Sequence, residues 1–401
     1  MLRKLRLIIG LLLLLILTVC NDRLYSQPPA EPSFAQSQAQ LFHLKSELEA
    51  GLAEEMQQLF PEGYYFSYVL YGLSAVNIGL SDPAAQTDLL EEARWAYAKL
   101  DSPAGHAPFP KNLSTEYGIF YNGWSNYLLA GILLLQDGDD HDLTELARYE
   151  QESAEIVAAL SQSSSPFLDS YSGQIWPVDT FPAVVSLKAY STITGDNKYE
   201  PVITEWIERI QREIEPATGL IPHKTEPFID TGRATSQTLI LWFLAELDPV
   251  LAEKYYRSFR EQFVRHRLGI PAVREFPPGD NRLGDVDSGP LITGVSLSAT
   301  VVMLGTARMV GDDGLATAIY QEGEAGGWPY RFAGKRLYGF GLLPIGEAFL
   351  LWAQTARPWL ADGTLRVDVG WPLWWRLPIH LISLLLIWIL FRPWLRMERR
   401  L

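Results

Sequence analysis

Six apolar stretches with helical spacing recur along the chain about every 55 residues, beginning near Glu62, Tyr117, Asp179, Gly232, Gly289 and Tyr338. Between them lie stretches that also read as helices but carry far more charge. A fixed period of this length marks repeated supersecondary units, none able to bury its apolar face alone. The pattern predicts an all-α domain of six helical hairpins, apolar members inside and charged members covering them. A closed ring and an open solenoid both satisfy it.

The charged members fall at residues 41–59, 83–99, 142–162, 197–214, 248–268 and, more weakly, 312–322. In Glu200 to Glu213 (EPVITEWIERIQRE), Val202, Trp206 and Ile210 share one face with the following Ile214, and the charges lie elsewhere. That is an amphipathic helix with one buried side. Tyr117 to Leu135 carries no charge, and Ser288 to Met303 is rich in small residues. Helices that are apolar all round are buried, and small residues let neighbours approach closely.

Both chain ends stand apart from this body. Arg3, Lys4 and Arg6 precede the apolar run Leu7 to Val19, the layout of an export signal and short for a full span. Cys20 follows Leu17-Thr18-Val19, which partly resembles a lipobox, so residues 1–26 read as a cleaved signal, an N-terminal anchor or a lipoprotein leader. Residues 27–40 (QPPAEPSFAQSQAQ) read as a linker and 41–370 as the helical domain. Residues 371–395 read as a transmembrane helix flanked by Trp371, Trp374, Trp375 and Trp394. Arg392, Arg396, Arg399 and Arg400 place the tail, 396–401, in the cytoplasm by the positive-inside rule. The body is then expected outside the cytoplasm, as in a periplasm, and a membrane protein partner is open to it.

Without residues 1–26 and 371–401 the chain holds 24 basic and 45 acidic residues, a formal charge near −21. Such a surface repels nucleic acid and anionic headgroups. Cys20 is the single cysteine, so the body has no disulfide, thiolate nucleophile or zinc-thiolate site.

The connections are asymmetric. Links from an apolar helix to the next charged one are short and rich in Gly and Asp, as in Gly195-Asp196-Asn197 and Leu247-Asp248-Pro249, and read as caps. Links into the apolar helices are longer and chemically dense: 60–65, 111–124, 171–182, 218–237, 270–290 and 326–341. In a ring these six fall on one face, around the mouth of the central cavity, where sites are usually built.

The hairpin period and inner-helix texture over about residues 41–357 resemble the (α/α)6 toroid of six-hairpin glycosidases, polysaccharide lyases, sugar epimerases and the linalool dehydratase/isomerase group. Tyr121-Asn122-Gly123-Trp124 is similar to the Tyr-x-Gly-His segment of linalool dehydratase/isomerase, with Trp124 where that family has histidine. The cysteines of that family have no counterpart here. The resemblance implies kinship of fold, which does not fix the reaction.

The mouth segments supply the candidate residues. Asp287, in Gly284-Asp285-Val286-Asp287-Ser288-Gly289-Pro290, is either the N-cap of the fifth inner helix or a general acid or base. Asp285 beside it and Asp179, opening the third inner helix after Trp176, are candidates of the same kind. Two carboxylates flanking a glycosidic bond are the minimum for hydrolysis, and the acid member needs a raised pKa. Glu116 is a third carboxylate at the mouth, and His223 a candidate proton carrier at neutral pH. Arg233 is placed to clamp a substrate carboxylate or to pair with a local acid. Tyr64, Tyr65, Tyr121, Trp124, Trp176 and Trp328 offer flat faces for sugar rings, or serve as core. Asp137 to Asp142 reads as a solvated acidic turn, and neither a metal nor a cofactor is expected. The leading expectation is an enzyme acting on a carbohydrate or polysaccharide as hydrolase, lyase or epimerase. A non-catalytic envelope component binding glycan, and a lyase of small alcohols, are the alternatives.

Overall fold

A computed structural model describes residues 2–28, 35–136, 138, 140–216, 218–360, 365–367 and 369–395. Sixteen α-helices dominate the described residues: α1 Leu2–Arg23, α2 Ala35–Glu49, α3 Leu52–Leu59, α4 Gly63–Gly79, α5 Gln86–Leu100, α6 Pro103–His106, α7 Gly118–Leu134, α8 Leu143–Gln162, α9 Thr180–Thr194, α10 Glu200–Arg212, α11 Ala234–Leu247, α12 Pro249–Phe263, α13 Leu297–Met309, α14 Asp313–Gly326, α15 Pro344–Thr355 and α16 Leu377–Leu395. Two short antiparallel hairpins interrupt them, β1 Val264–Arg267 with β2 Ile270–Val273, and β3 Tyr330–Phe332 with β4 Lys335–Leu337.

The six apolar helices α4, α7, α9, α11, α13 and α15 pack in sequence order, each on the next, and α15 packs back on α4. Their starts and ends align: Gly123 lies on the first turn of α9, and Asn77 at the end of α4 donates to Thr355 at the end of α15. Outside them α5, α8, α10, α12 and α14 each cover their predecessor in the chain. The sixth outer position, which lacks a following helix in sequence, is taken by α2, packed on both α15 and α4.

Capping chemistry sets the end opposite the long loops. Asp142, Asp248 and Asp312 each accept backbone N–H groups as N-caps of α8, α12 and α14. Asp312 also accepts from the Tyr256 hydroxyl at 2.8 Å and from Arg260. Asp142 therefore accounts for the acidic turn as a cap, although Asp137 and Asp139 lie outside the described residues.

Several expected boundaries move. The helix expected over 41–59 is two, broken at Ala50-Gly51 where Gly51 takes φ 103°. Residues 35–40 of the expected linker are already helical, with Ser37 and Gln40 buried, while 29–34 and the tail 396–401 fall outside the described residues. The fifth inner helix starts at Leu297 with Ser296 as its cap, not near Gly289. Gly289 and Gly294 both adopt positive φ, so the backbone turns twice before a helix can begin. The sixth starts at Pro344, after the β3–β4 hairpin.

The interior between the six helices is closed by aromatic rings. Trp242 stacks on Trp352 with centroids 3.7 Å apart, and Trp124 meets Phe66, Phe243 and Trp352 edge-on. Gly305 on α13 makes room for this stack: a methyl there would stand 1.8 Å from the Trp242 ring. Gly305→Ala is expected to lose about 1–3 kcal/mol or more in chemical denaturation, because neither ring has space to retreat.

Helix α16 belongs to the stretch Leu373–Arg392, 20 residues long and apolar enough to cross a membrane. Its apolar side chains, Leu381 and Leu384 among them, stand exposed, which a core helix of a soluble body would not permit. Helix α1 runs antiparallel to it. Gly10 lies against Phe391, and Asn21 donates to Ser383 at 2.8 Å. At the body end, Arg23 donates to the Pro329 carbonyl at 2.7 Å and Arg376 to the Leu24 carbonyl at 2.8 Å.

Candidate functional site

At the end where the inner helices begin, three carboxylates from three loops share one electrostatic neighbourhood. Asp179 sits on a 3-10 turn, Pro177–Asp179, that leads into α9. Its carboxylate caps nothing. Instead Oδ2 accepts from the Ser170 hydroxyl at 2.6 Å, and the side chain is buried. Burial raises its pKa to about 8, with the carboxylates of Glu62 and Asp287 adding to the effect and Ser170 opposing it.

Asp287 lies in the loop before α13, whose N-cap is Ser296 and not Asp287. Its backbone nitrogen donates to Asp285 Oδ1 at 3.1 Å, and its own side chain reaches solvent. Although exposed, the side chain is crowded by the surrounding loops, and the hydration it loses raises its pKa to about 6, with further upward pushes from Asp285 and Glu62 and a downward pull from Arg233. Glu62, directly before α4, accepts from the Tyr171 hydroxyl. Burial first, and then Glu62, Asp179 and Asp287, drive the Tyr171 phenol far above its usual range, so it stays a donor. Trp176 stands edge-on to Tyr171 at 5.9 Å, half-buried, with the Lys224 ammonium 4.2 Å above its ring.

A second group locks the loop that carries Asp287. Arg233 is buried, and its guanidinium donates to Glu275 Oε1 at 2.5 Å and to both oxygens of Asp285. Asp285 also accepts the backbone N–H groups of Asp287 and Ser288. Against the upward push of burial, Arg233 and these amides hold its carboxyl well below the usual carboxylate range. Asp285 is therefore a permanent anion that shapes the loop. Arg233 pairs with Asp285 and Glu275, while Asp230 pairs with Arg282 at 2.7 Å.

His223 is buried beside this group, bonded to Ser236, and burial followed by the charge of Arg233 lowers its pKa to about 4. It is neutral at physiological pH, which does not suit the proton carrier expected from sequence.

The remaining candidates are placed elsewhere. Glu116 is exposed and its backbone carbonyl accepts from Asn122. Tyr65, fully buried, donates to the Tyr121 carbonyl at 2.7 Å, and the Tyr121 hydroxyl meets His106 at 2.9 Å. Tyr64 packs on Tyr68. Trp124, at the position where linalool dehydratase/isomerase has histidine, fills the centre of the interior with 1% exposure. Trp328 carries Arg23 over its ring at 5.0 Å, beside the terminal helices.

Glu62, Ser170, Tyr171 and Glu275 join the site without having been singled out by sequence. Glu62 carries a readable signal, since it precedes an inner helix as Asp179 does. A cavity of about 170 Å³ opens at the opposite end, lined by Arg308, Asp313 and Arg366 among others, and shares no residue with the carboxylates. The carboxylate cluster is the better candidate, because it gathers perturbed titratable groups. No group of three or more His, Cys, Asp or Glu suited to a metal occurs among the described residues.

No family model matches the chain, and no curated protein matches it. Among solved structures it is similar to a family 76 glycoside hydrolase from a bovine Bacteroides thetaiotaomicron strain. The identity is 11% and the TM-score 0.41, over 72% of this chain and 68% of that one.

Proposed function

We propose that the body is an (α/α)6 toroid, tethered outside the cytoplasm by a membrane span, whose mouth acts on a carbohydrate or polysaccharide by carboxylate acid/base chemistry. The closed succession of inner helices supports the ring. The exposed apolar surface of α16 and the arginines that follow it support the tether.

One observation carries the chemistry: burial raises the pKa of Asp179 and of Asp287 by different amounts, to about 8 and about 6. At neutral pH Asp179 holds its proton and Asp287 has lost its own. Asp179 then donates to the departing glycosidic oxygen while Asp287 takes a proton from the attacking water, which balances a hydrolysis. The same pair serves a lyase or epimerase if Asp287 instead removes a carbon-bound proton. Trp176 offers a ring face to the sugar, and Tyr171 a hydroxyl.

The test is product formation. Full-length protein incubated with envelope polysaccharides is expected to release new ends detectable by mass spectrometry, and Asp287→Asn to reduce the rate by about 100-fold or more. Its thermal midpoint should stay near that of the parent, because no cap is lost. The aromatic filling of the ring interior favours a second reading, a glycan-binding component without turnover. Binding of the same polysaccharides with no product from the parent protein would establish that reading instead.

A further inference from the structure

We infer that the fifth and sixth mouth loops are seated on the surface of the membrane that α16 crosses, so that the mouth opens at the bilayer and not into bulk solvent. This rests on the reading of α16 as a span, and three observations lead to it.

The first is where the terminal helices leave the body. Arg23 donates to Pro329, just past the C-terminal end of α14, where the sixth mouth loop begins, and stacks on Trp328 in that loop. On the other side, Gly269 at the tip of the β1–β2 hairpin lies against the Trp375 backbone, and His266 stacks on Trp371 at 4.2 Å. Helices α1 and α16 thus emerge beside the mouth, between its fifth and sixth loops, and not at the capped end.

The second is apolar exposure. Leu268, Leu283, Val286, Ile292, Phe340 and Leu342 are between 65% and 90% exposed, and all lie in the segments between α12 and α13 or between α14 and α15 that contain those two loops. Apolar area left in water costs about 25 cal/mol per Å², and an interface between headgroups and acyl chains removes that cost. At the capped end the exposed large apolar residues Leu143 and Val250 are each the first or second residue of an outer helix, and are scattered singly.

The third is charge. Arg265, Arg267 and Arg274 cluster closely: burial, and then the charges of Arg274 and Arg267, make the proton on Arg265 less favourable. Their hydrogen bonds run to backbone carbonyls of Glu261, Val264, Thr293 and Asp280. On a body with a large acidic excess, a cation cluster next to the span suits anionic lipid headgroups. Asp285 and Asp287 sit in the same loop as Leu283 and Val286, so the seat brings the carboxylate site to the bilayer surface.

Depth-dependent fluorescence quenching tests the seat without requiring turnover. The full chain carrying Cys20→Ser is reconstituted into vesicles of phosphatidylcholine and phosphatidylglycerol, with a nitrobenzoxadiazole probe at Leu283→Cys, Leu342→Cys or Val250→Cys. Nitroxide lipids are expected to quench the first two at least about threefold more strongly than the third, as for side chains inserted at the headgroup boundary. Equal quenching at all three positions would overturn the seat. Strong quenching at Leu283 and Leu342 together with no product from any polysaccharide would retain the seat and remove the acid/base reading.

Discussion

Asp179→Asn is expected to remove turnover and, in the same protein, to raise stability at alkaline pH. The two effects have one cause. The native carboxyl keeps its proton up to about pH 8, whereas the unfolded chain releases it near the ordinary value of 3.8. Between those values the unfolded state binds fewer protons than the folded state, so stability falls as pH rises through that window. The contribution is fully present below the unfolded value and is lost as pH passes the folded one. Each unit by which the native pKa is raised corresponds to about 1.4 kcal/mol, an upper bound that structural relaxation reduces. Asparagine has the same shape and no charge to lose, so the variant should show a flatter stability profile from pH 4 to pH 8. Urea unfolding at a series of pH values reads this directly. For activity, loss of the acid should cost about 100- to 10,000-fold and abolish the alkaline limb of the rate profile. A variant with retained activity would leave Asp179 a buried structural acid held by Ser170. A variant with lost activity and an unchanged stability slope would place the perturbed group elsewhere.

Much of this arrangement is legible in the amino-acid sequence, and what is not has physical reasons. The apolar period locates α4, α7, α9 and α11 within a few residues, because helices buried on every side must be apolar on every side. It misplaces α13 by several residues, because the small-residue run from Ser288 to Ser296 is equally compatible with a glycine-turned loop. That error creates the capping explanation for Asp287, which the later helix start removes. The reading that sets Asp179 and Asp287 at the starts of alternate inner helices does not hold for Asp287, which lies in the loop before α13, although Glu62 acts on both carboxyls. Composition does not reveal that Asp285 belongs to Arg233, since nothing in a sequence says which of two aspartates turns toward a buried guanidinium 52 residues away. The aromatic candidates fail for another reason. Tyr65, Tyr121 and Trp124 lie in the first two turns of inner helices, but Tyr65 and Tyr121 pack on each other and on Phe109, and Trp124 packs on Phe243 and Trp352. They therefore become core instead of lining. The pairing of α1 with α16 is hidden because each apolar run is explained on its own by a targeting or spanning role. The contact of Asn21 with Ser383 joins them.

Arg233→Ala is expected to produce the largest loss of stability of any single substitution near the mouth. The guanidinium is 4% exposed and bonds two carboxylates at once, of which Glu275 has no exposed surface. Removing it leaves Glu275 buried beside an alanine cavity, and breaking one partner out of a buried ion pair costs about 3–5 kcal/mol. A thermal midpoint lower by roughly 4–7 °C follows for a domain of this size. The direction of the Glu275 pKa shows why the cost is not recovered locally. Burial already raises it against the pull of Arg233, so without the arginine the side chain must take up a proton or draw in water. Arg233→Ala combined with Glu275→Gln should regain part of the loss, since the second change removes the stranded charge. The site should respond as well. Arg233 lowers the pKa of Asp287, so its removal leaves Asp287 protonated to higher pH and moves the acidic limb of any residual activity upward. After burial, Arg233 is also what lowers the pKa of His223, which should become easier to protonate. NMR titration of His223 in the double variant would separate this electrostatic effect from unfolding. If the midpoint of Arg233→Ala stayed within about a degree of the parent, the pair with Glu275 would be worth no more than an exposed salt bridge. The loop bearing Asp287 would then have to be held by its own Asx turn and by the donation from Ser298 to the Asp287 carbonyl.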